Sequence, residues 1–388
     1  MAFTDEHRAF RDLVRRYVRE RVAPQQDAWE AAGQLPRDFF TGAGAQGMLG
    51  FSVPEQYGGP GLADYRYNAI VIEELARVGA AACAIGLSLQ NDVVLPYLIG
   101  LTNDEQKARW LPGVVTGETI LGIAMTEPGA GSDLAGIRTR ARRDGADYVI
   151  DGAKTFISNG QNADLLVLAT RTEPLPDSAG AAGRNRRSGL TLFVVDAATP
   201  GFRRGRNLAK MGLRAQDTSE LQFDRMRVSA ASRLGEEGAG FGQLVHNLPQ
   251  ERLSLAIGAV GAAEGVLAYT VDYVKQRTAF GQPLAAFQNT RFVLAELATE
   301  LDIARTYLND CIAAHVDGRL TAARAARLKW WTTELQVKVA DRCLQLHGGY
   351  GYMREYPISR AFVDARVQTI YGGTTEIMKT IVARDLGL

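Results

Sequence analysis

The sequence predicts an α+β protein laid out as a helical block, a β-block and a second helical block. Apolar residues recur at three- and four-residue spacing up to about residue 118. Short runs rich in β-branched and aromatic residues follow, parted by Gly, Asp and Asn, and long helical spacing returns near residue 240. These changes of texture set expected domains at 1–119, 120–232 and 233–388. A chain of 388 residues with 46% hydrophobic content is long enough to bury more than one core.

In the first block, Phe10, Leu13, Val14, Tyr17, Val18 and Val22 form one apolar stripe, and Thr4 stands where an N-cap belongs. After the Gly/Pro punctuation of VPEQYGGPG, residues 64–90 read as one long buried helix. The β-block contains TILGIAMTE, YVIDGAKTFISNG, DLLVLATR, LTLFVVD and TSELQFDRMRV. Its insertion at 172–189, rich in Pro, Gly, Ser and Arg, is expected to be a mobile surface loop whose arginines are a solvated charge run. The last block breaks at GQP (281–283), DGRL (317–320) and GGYGYMREYP (348–357). Gly258, Gly261 and Gly265 share one helical face, where close packing of another helix is the simplest use.

Composition excludes several classes. With 44 Lys plus Arg against 43 Asp plus Glu, the bulk charge asks for neither nucleic acid nor a membrane surface. Cys83, Cys311 and Cys343 are far apart and encode no disulfide framework or zinc site, which suits a reducing compartment. A charged N-terminus and no window of about 18 uncharged apolar residues place the expected protein in the cytoplasm. The four histidines are too dispersed to propose a metal centre, and GEEGAGFG (235–242) lacks the strand and later acid of a Rossmann site. No Walker lysine, HExxH or G-x-S-x-G elbow is present.

Other segments carry chemistry. In IAMTEPGAGSD (123–133), Gly129 and Gly131 free backbone N–H groups while Thr126 and Ser132 add hydroxyls that suit a flat polar ring or a phosphate. KTFISNG (154–160) puts Phe156 and Ser158 on one strand face, a cover and an edge contact for a cofactor, or merely a core Phe. QRTAFGQPLAAFQ (276–288) sets Arg277 and Phe280 beside a turn, a pattern that fits a pyrophosphate. QLHGGYGYMREYP (345–357) and YGGTTEIMK (371–379) add exposed backbone, the second with Thr374 or Thr375 capping a helix that favours an anion. LPQERLSLAIGAVG (248–261) places Glu251 and Arg252 in an apolar helix, where a buried ion pair is the plain alternative to a functional acid.

In this order AMTEPGAGSD, KTFISNG, KMGLRAQDT, QRTAFG, QLHGGYGYM and IYGGTTEI resemble the signatures of the acyl-CoA dehydrogenase flavoproteins over essentially the whole chain. The resemblance implies a helical domain, a β-barrel-like middle domain and a C-terminal four-helix bundle. It implies FAD, with its flavin against Met125, Thr126, Ser132, Phe156, Ile157 and Ser158. Arg277, Phe280 and Gln288 of one subunit, with Gln345, Gly348 and Gly349 of its neighbour, would hold the adenosine diphosphate part, and Thr374, Thr375 and Glu376 would close over it. Ala279 replaces a threonine common in relatives, so no side-chain contact is assigned there.

Many members carry their base in a Tyr-Glu-Gly-Thr segment, whereas this chain reads Tyr371-Gly372-Gly373-Thr374. It resembles the branch that includes the isovaleryl and long-chain enzymes, with the base on the internal helix at Glu251. Ser132, Arg252, Gly372 and Gly373 are the implied substrate contacts. The implied activity is α,β-dehydrogenation of an acyl-CoA, of medium to long chain, in fatty-acid β-oxidation, with electrons passed to an electron-transfer flavoprotein. A homotetramer, as a dimer of dimers, comes with the resemblance. An acyl-carrier-protein thioester substrate, an oxidase and a catalytically silent flavoprotein are the alternatives.

Overall fold

The computed structural model describes residues 3–173 and 187–388. Most of the Pro/Gly/Arg-rich insertion, including Arg184 and Arg186, lies outside the described residues. Arg187 is described and sits over the Phe241 ring.

The first block is helical: α1 (Asp5–Tyr17), α2 (Gln26–Ala32), α3 (Arg37–Ala45), α4 (Arg66–Arg77), α5 (Ala81–Ser88), α6 (Leu95–Leu101) and α7 (Asp104–Thr116). Thr4 caps α1, its side chain accepting from the His7 N–H while the His7 ring meets the Thr4 backbone N–H in return. The expected single helix over 64–90 is two, with a break at Val78, Gly79 and Ala80. Gly79 takes φ +76°, a left-handed stop that an apolar run on both sides conceals. A wide π-turn, Leu89–Val94, then joins α5 to α6.

The middle block comprises β1 (Leu121–Ala124), β2 (Arg140–Asp144), β3 (Asp147–Ser158), β4 (Leu165–Arg171), β5 (Leu190–Asp196), β6 (Phe202–Asn207), β7 (Thr218–Ser229) and β8 (Arg233–Leu234). Their order is β6-β7-β3-β2-β4-β5-β8, with β1 parallel to β4 off this path. Among the described residues β6 and β8 stay unjoined, so the middle domain is a mixed sheet and not a closed barrel. The edge strand β6, FRRGRN, carries exposed Arg203 and Arg206, charges that discourage edge-to-edge pairing.

The last block runs through α8 (Gly240–Gln276), the short hairpin β9 (Thr278–Ala279) and β10 (Gln282–Pro283), α9 (Gln288–Val316), α10 (Ala322–His347), α11 (Pro357–Val367) and α12 (Thr375–Asp385). Gly258, Gly261 and Gly265 face α4. A Cβ added at Gly265 would lie 2.0 Å from the Arg77 carbonyl oxygen and one at Gly261 3.2 Å from that of Glu73, which is the close packing their spacing suggests. One apolar core joins α1, α3, α4 and α5 to α8, α9 and α10, and two further cores cover the two faces of the sheet. Among the described residues two helical stretches, 81–101 and 240–276, are long and apolar enough to cross a membrane, although neither holds a run of about 18 uncharged apolar residues. Their apolar windows are 78% and 50% buried inside the protein, as core helices are.

Candidate active site

Glu251 lies on α8, 6% exposed. Its Oε1 accepts from the Tyr97 hydroxyl at 3.3 Å and from the Asn247 amide at 3.2 Å. Burial pushes the carboxyl up to about 7, and the two hydrogen bonds and the Arg252 charge only partly offset it. The ion pair that sequence suggested between Glu251 and Arg252 is not formed. Arg252 instead turns its Nε–H to the Gly372 carbonyl oxygen at 3.3 Å, because neighbours on a helix point about 100° apart.

The π-turn supplies the wall beside this acid. A π-turn lacks some regular helical bonds, and the free carbonyl oxygens of Asp92 and Val93 accept from Gln250 Nε2 at 2.7 Å and Asn247 Nδ2 at 3.0 Å. Asp92 is a second buried acid, pushed up to about 7 by burial. It is fully enclosed and its carboxylate is occupied by Asn68 and Ser254. Glu251 is thus the acid available for chemistry. Replacing Tyr97 by Phe removes a donor to the carboxylate, so the rising limb of the pH profile of kcat/KM, expected near pH 7, should move up by as much as about one unit. An unmoved limb would show that Tyr97 does not tune Glu251.

Facing this part of α8 is the Gly372–Gly373 turn, where φ is +64° and +97°. A Cβ at Gly372 would come 2.4 Å from Leu255 Cδ1, and Leu255 lies one helical turn from Glu251. The turn's carbonyls are taken by Arg252 and, at 2.8 Å, by the ammonium of Lys329. The backbone N–H groups of Gly372, Gly373 and Thr374 donate to no acceptor among the described residues. Thr374 caps α12, as the sequence indicated, and exposed Glu376 follows in its first turn.

The segments matched to the flavin lie in the β-block, whose strand β1 meets the π-turn where the Leu121 N–H donates to Gln90 Oε1. Lys154, side chain 0% exposed, donates at 2.9 Å both to the Met125 carbonyl and to Glu127 Oε1. Glu127 also accepts from the Arg138 and Thr139 amides, and the Thr155 N–H reaches the Thr126 carbonyl. Burial pushes Glu127 up, but Lys154 and the amide donors outweigh it, and its carboxyl titrates below the usual range. The Met125–Thr126 edge is therefore clamped to β3, while Ser132 is exposed and a Cβ at Gly129 or Gly131 would meet nothing. The regular alternation expected for Phe156, Ile157 and Ser158 is broken by a bulge between Lys154 and Ile157. Phe156 takes φ +58° and is 66% exposed, Ile157 is buried, and Ser158 is half-buried. A phenylalanine on left-handed backbone is strained, and such strain clusters at ligand-binding sites.

At the far end of α8 a cleft of about 700 Å³ is lined by Tyr273, Arg277, Gln345, His347, Gly348 and Gly349. Arg277 and the Gln345–Gly349 run line this cleft together within one chain. Among the described residues the buried His347 Nε2 has no partner, and its Nδ1 meets the Cys343 carbonyl. Phe280 projects from the β9–β10 turn, 95% exposed at φ +51°, and Gln288 is exposed at the start of α9. An arginine over Tyr350 of the glycine turn and an orphaned ring nitrogen fit the diphosphate and polar rings of FAD.

Sequence reasoning missed Tyr97, Asn247 and Lys329. Asn247 was reachable, four residues before Glu251 on one helix. Tyr97 is 154 positions away, with no local signal. Lys329, between Leu328 and the Trp330–Trp331 pair, was a visible anomaly.

Family profiles match the chain along nearly its whole length: acyl-CoA dehydrogenase N-terminal domain over residues 4–118, middle domain over 122–226 and C-terminal domain over 238–387. Long-chain specific acyl-CoA dehydrogenase, mitochondrial, from Sus scrofa is 45% identical over 384 residues, 99% of this chain and 87% of that one. A crystal structure of acyl-CoA dehydrogenase from Geobacillus kaustophilus superposes with a TM-score of 0.95 at 46% identity, covering 100% of this chain and 99% of that one. A glutaryl-CoA dehydrogenase from Mycobacterium smegmatis, solved in complex with FADH2, superposes with a TM-score of 0.90 at 28% identity over 99% of this chain and 95% of that one.

Proposed function

This chain belongs to the acyl-CoA dehydrogenase family, FAD-dependent enzymes acting on CH–CH bonds, and from that premise we propose that it dehydrogenates medium- to long-chain acyl-CoA with Glu251 as base. The observation that carries this reading is a buried glutamate, raised to about 7, one helical turn from the residue that touches a glycine turn with free N–H groups.

The α-proton of a thioester is too weakly acidic to leave unaided at neutral pH. N–H groups of Gly372 and Gly373 donate to the thioester oxygen and stabilise charge as it gathers there. The Glu251 carboxylate takes the α-proton, and filling of the pocket by the acyl chain removes water and keeps its pKa matched to the task. FAD, when bound, supplies the acceptor for the β-hydrogen and its electron pair. Met125, Thr126, Ser132, Phe156 and Ser158 hold the flavin end, Arg277, Gln345, Gly348 and Gly349 the diphosphate end, and Thr374 to Glu376 the stretch between. An electron-transfer flavoprotein is the proposed electron acceptor and the cytoplasm the proposed site of action. The exposed ring of Phe280 favours a homo-oligomer, proposed as a tetramer.

The reading is tested by anaerobic titration of the yellow protein with straight-chain acyl-CoAs from butyryl to palmitoyl, and with isovaleryl-CoA. Bleaching is expected with the medium and long chains. No bleaching with any of them overturns the acyl-CoA reading in favour of a carrier-protein thioester or a silent flavoprotein, and immediate recolouring in air identifies an oxidase.

A further inference from the structure

Two buried cations approach the Gly372–Gly373 turn from two different helices. Arg252 of α8 is 4% exposed and Lys329 of α10 is 0% exposed. Among the described residues neither has a carboxylate within ion-pair distance; their polar contacts are the carbonyl oxygens of Gly372, at 3.3 Å, and Gly373, at 2.8 Å. Burying a charge without a counter-ion is costly, and a packing role alone would be met by an apolar side chain at lower cost. Burial and the Arg252 charge both act against the ammonium, pushing Lys329 down to about 8.

The geometry of the turn shows what the charge does. A trans peptide sets its N–H opposite its C=O. With the Gly372 oxygen held by Arg252 and the Gly373 oxygen held by Lys329, the N–H groups of Gly373 and Thr374 point away from both helices. Each cation also polarises the peptide it touches, which makes the N–H at the other end a better donor. Gly373 at φ +97° has little intrinsic preference for this arrangement, since glycine is free to leave it.

We propose that Lys329 is a positioning residue for proton abstraction: by holding the Gly373 carbonyl it fixes the backbone of the glycine turn, keeps the Gly372 and Gly373 N–H groups directed at the thioester oxygen, and places a buried positive charge behind the enolate. The step is the transfer of the substrate α-proton to the Glu251 carboxylate, with the electron pair of the broken C–H bond passing into the enolate and its charge resting on the thioester oxygen. The inference rests on the assignment of Glu251 as base.

The test uses the FAD-loaded enzyme and an acyl-CoA whose β-carbon is replaced by sulfur. Such a thioester can lose and regain its α-hydrogens but has no β-hydrogen to transfer, so uptake of deuterium from D2O, read by mass spectrometry, reports proton abstraction alone. Lys329→Met is expected to slow exchange by about 100-fold, the scale of losing one donor to a developing oxyanion, with flavin content and ligand affinity within about threefold of wild type. Lys329→Arg, which keeps the charge and a donor, is expected to regain about tenfold of that loss. Lys329→Gln, which retains a neutral donor, serves if the Met variant does not fold, and should fall between the two. Exchange at the wild-type rate in the neutral variants, or an Arg variant no better than they are, overturns the proposal. Glu251→Gln in the same assay separates the two readings, because wild-type exchange in that variant removes the base and not Lys329.

Discussion

Glu251→Gln is expected to slow substrate-dependent bleaching of the flavin by about 10² to 10⁴-fold, the usual worth of a positioned general base, while the protein keeps its FAD. The substitution is nearly isosteric, and the amide oxygen can still accept from Tyr97 and Asn247, so no cavity is created and neither of these donors loses its acceptor. Stability supplies an independent check. The native carboxyl titrates near 7, above its value of about 4.5 in the unfolded chain, so the native state holds this proton more tightly than the unfolded state. The stability this gives wild type is fully present below about pH 4.5 and is lost as pH rises through 7. The Gln variant has no such loss, so its Tm relative to wild type should climb between pH 5 and pH 8. Equal bleaching rates would end the case for Glu251, and a flat Tm difference would end the case for its raised pKa. A carboxylate introduced by Gly372→Glu in that variant faces the same part of α8, but it must displace the Leu255 side chain to restore activity.

Lys154→Met is the second large effect expected, and it acts on stability and on the cofactor together. It leaves Glu127 ionised and largely buried without its cation, a change that costs about 3–5 kcal/mol when one partner of a buried pair is removed. It also frees the Met125 carbonyl and loosens the Met125–Thr126 edge against which the flavin is proposed to lie. A lower Tm and a lower flavin-to-protein ratio should appear in the same sample. Adding Glu127→Gln should recover part of the Tm, because the neutral pair no longer holds an uncompensated charge. Unchanged Tm and flavin content in the single variant would mean that the clamp carries neither role.

The three-block plan, the Thr4 cap and the glycine face of α8 were legible because each is a local pattern with one physical cause. The break at Gly79 was not, because the residues on both sides are apolar and helix-compatible, and only the backbone angle distinguishes a stop from a continuation. The openness of the sheet was likewise hidden, since closure depends on whether edge strands meet, which no segment encodes by itself. At the site, residue types announced Glu251 and Arg252 as unusual, but their adjacency suggested a pair that the helix geometry keeps apart. The flavin segments were found by resemblance, and the bulge at Phe156 shows why physics alone would have misplaced them: strand alternation fails where the backbone is irregular.

The wide turn at Leu89–Val94 makes chain length itself a coordinate of the active site. Each residue added to or removed from a helix rotates everything beyond it by about 100°. The π-turn holds one such residue in reserve between α5, fixed in the first core, and Tyr97, whose hydroxyl must meet Glu251. The phase of α6 about its own axis is thus set by a count of residues rather than by their identities. Substitutions across this segment can drift while the phase holds, but a gain or loss of one residue would dephase the hydroxyl from the base it serves.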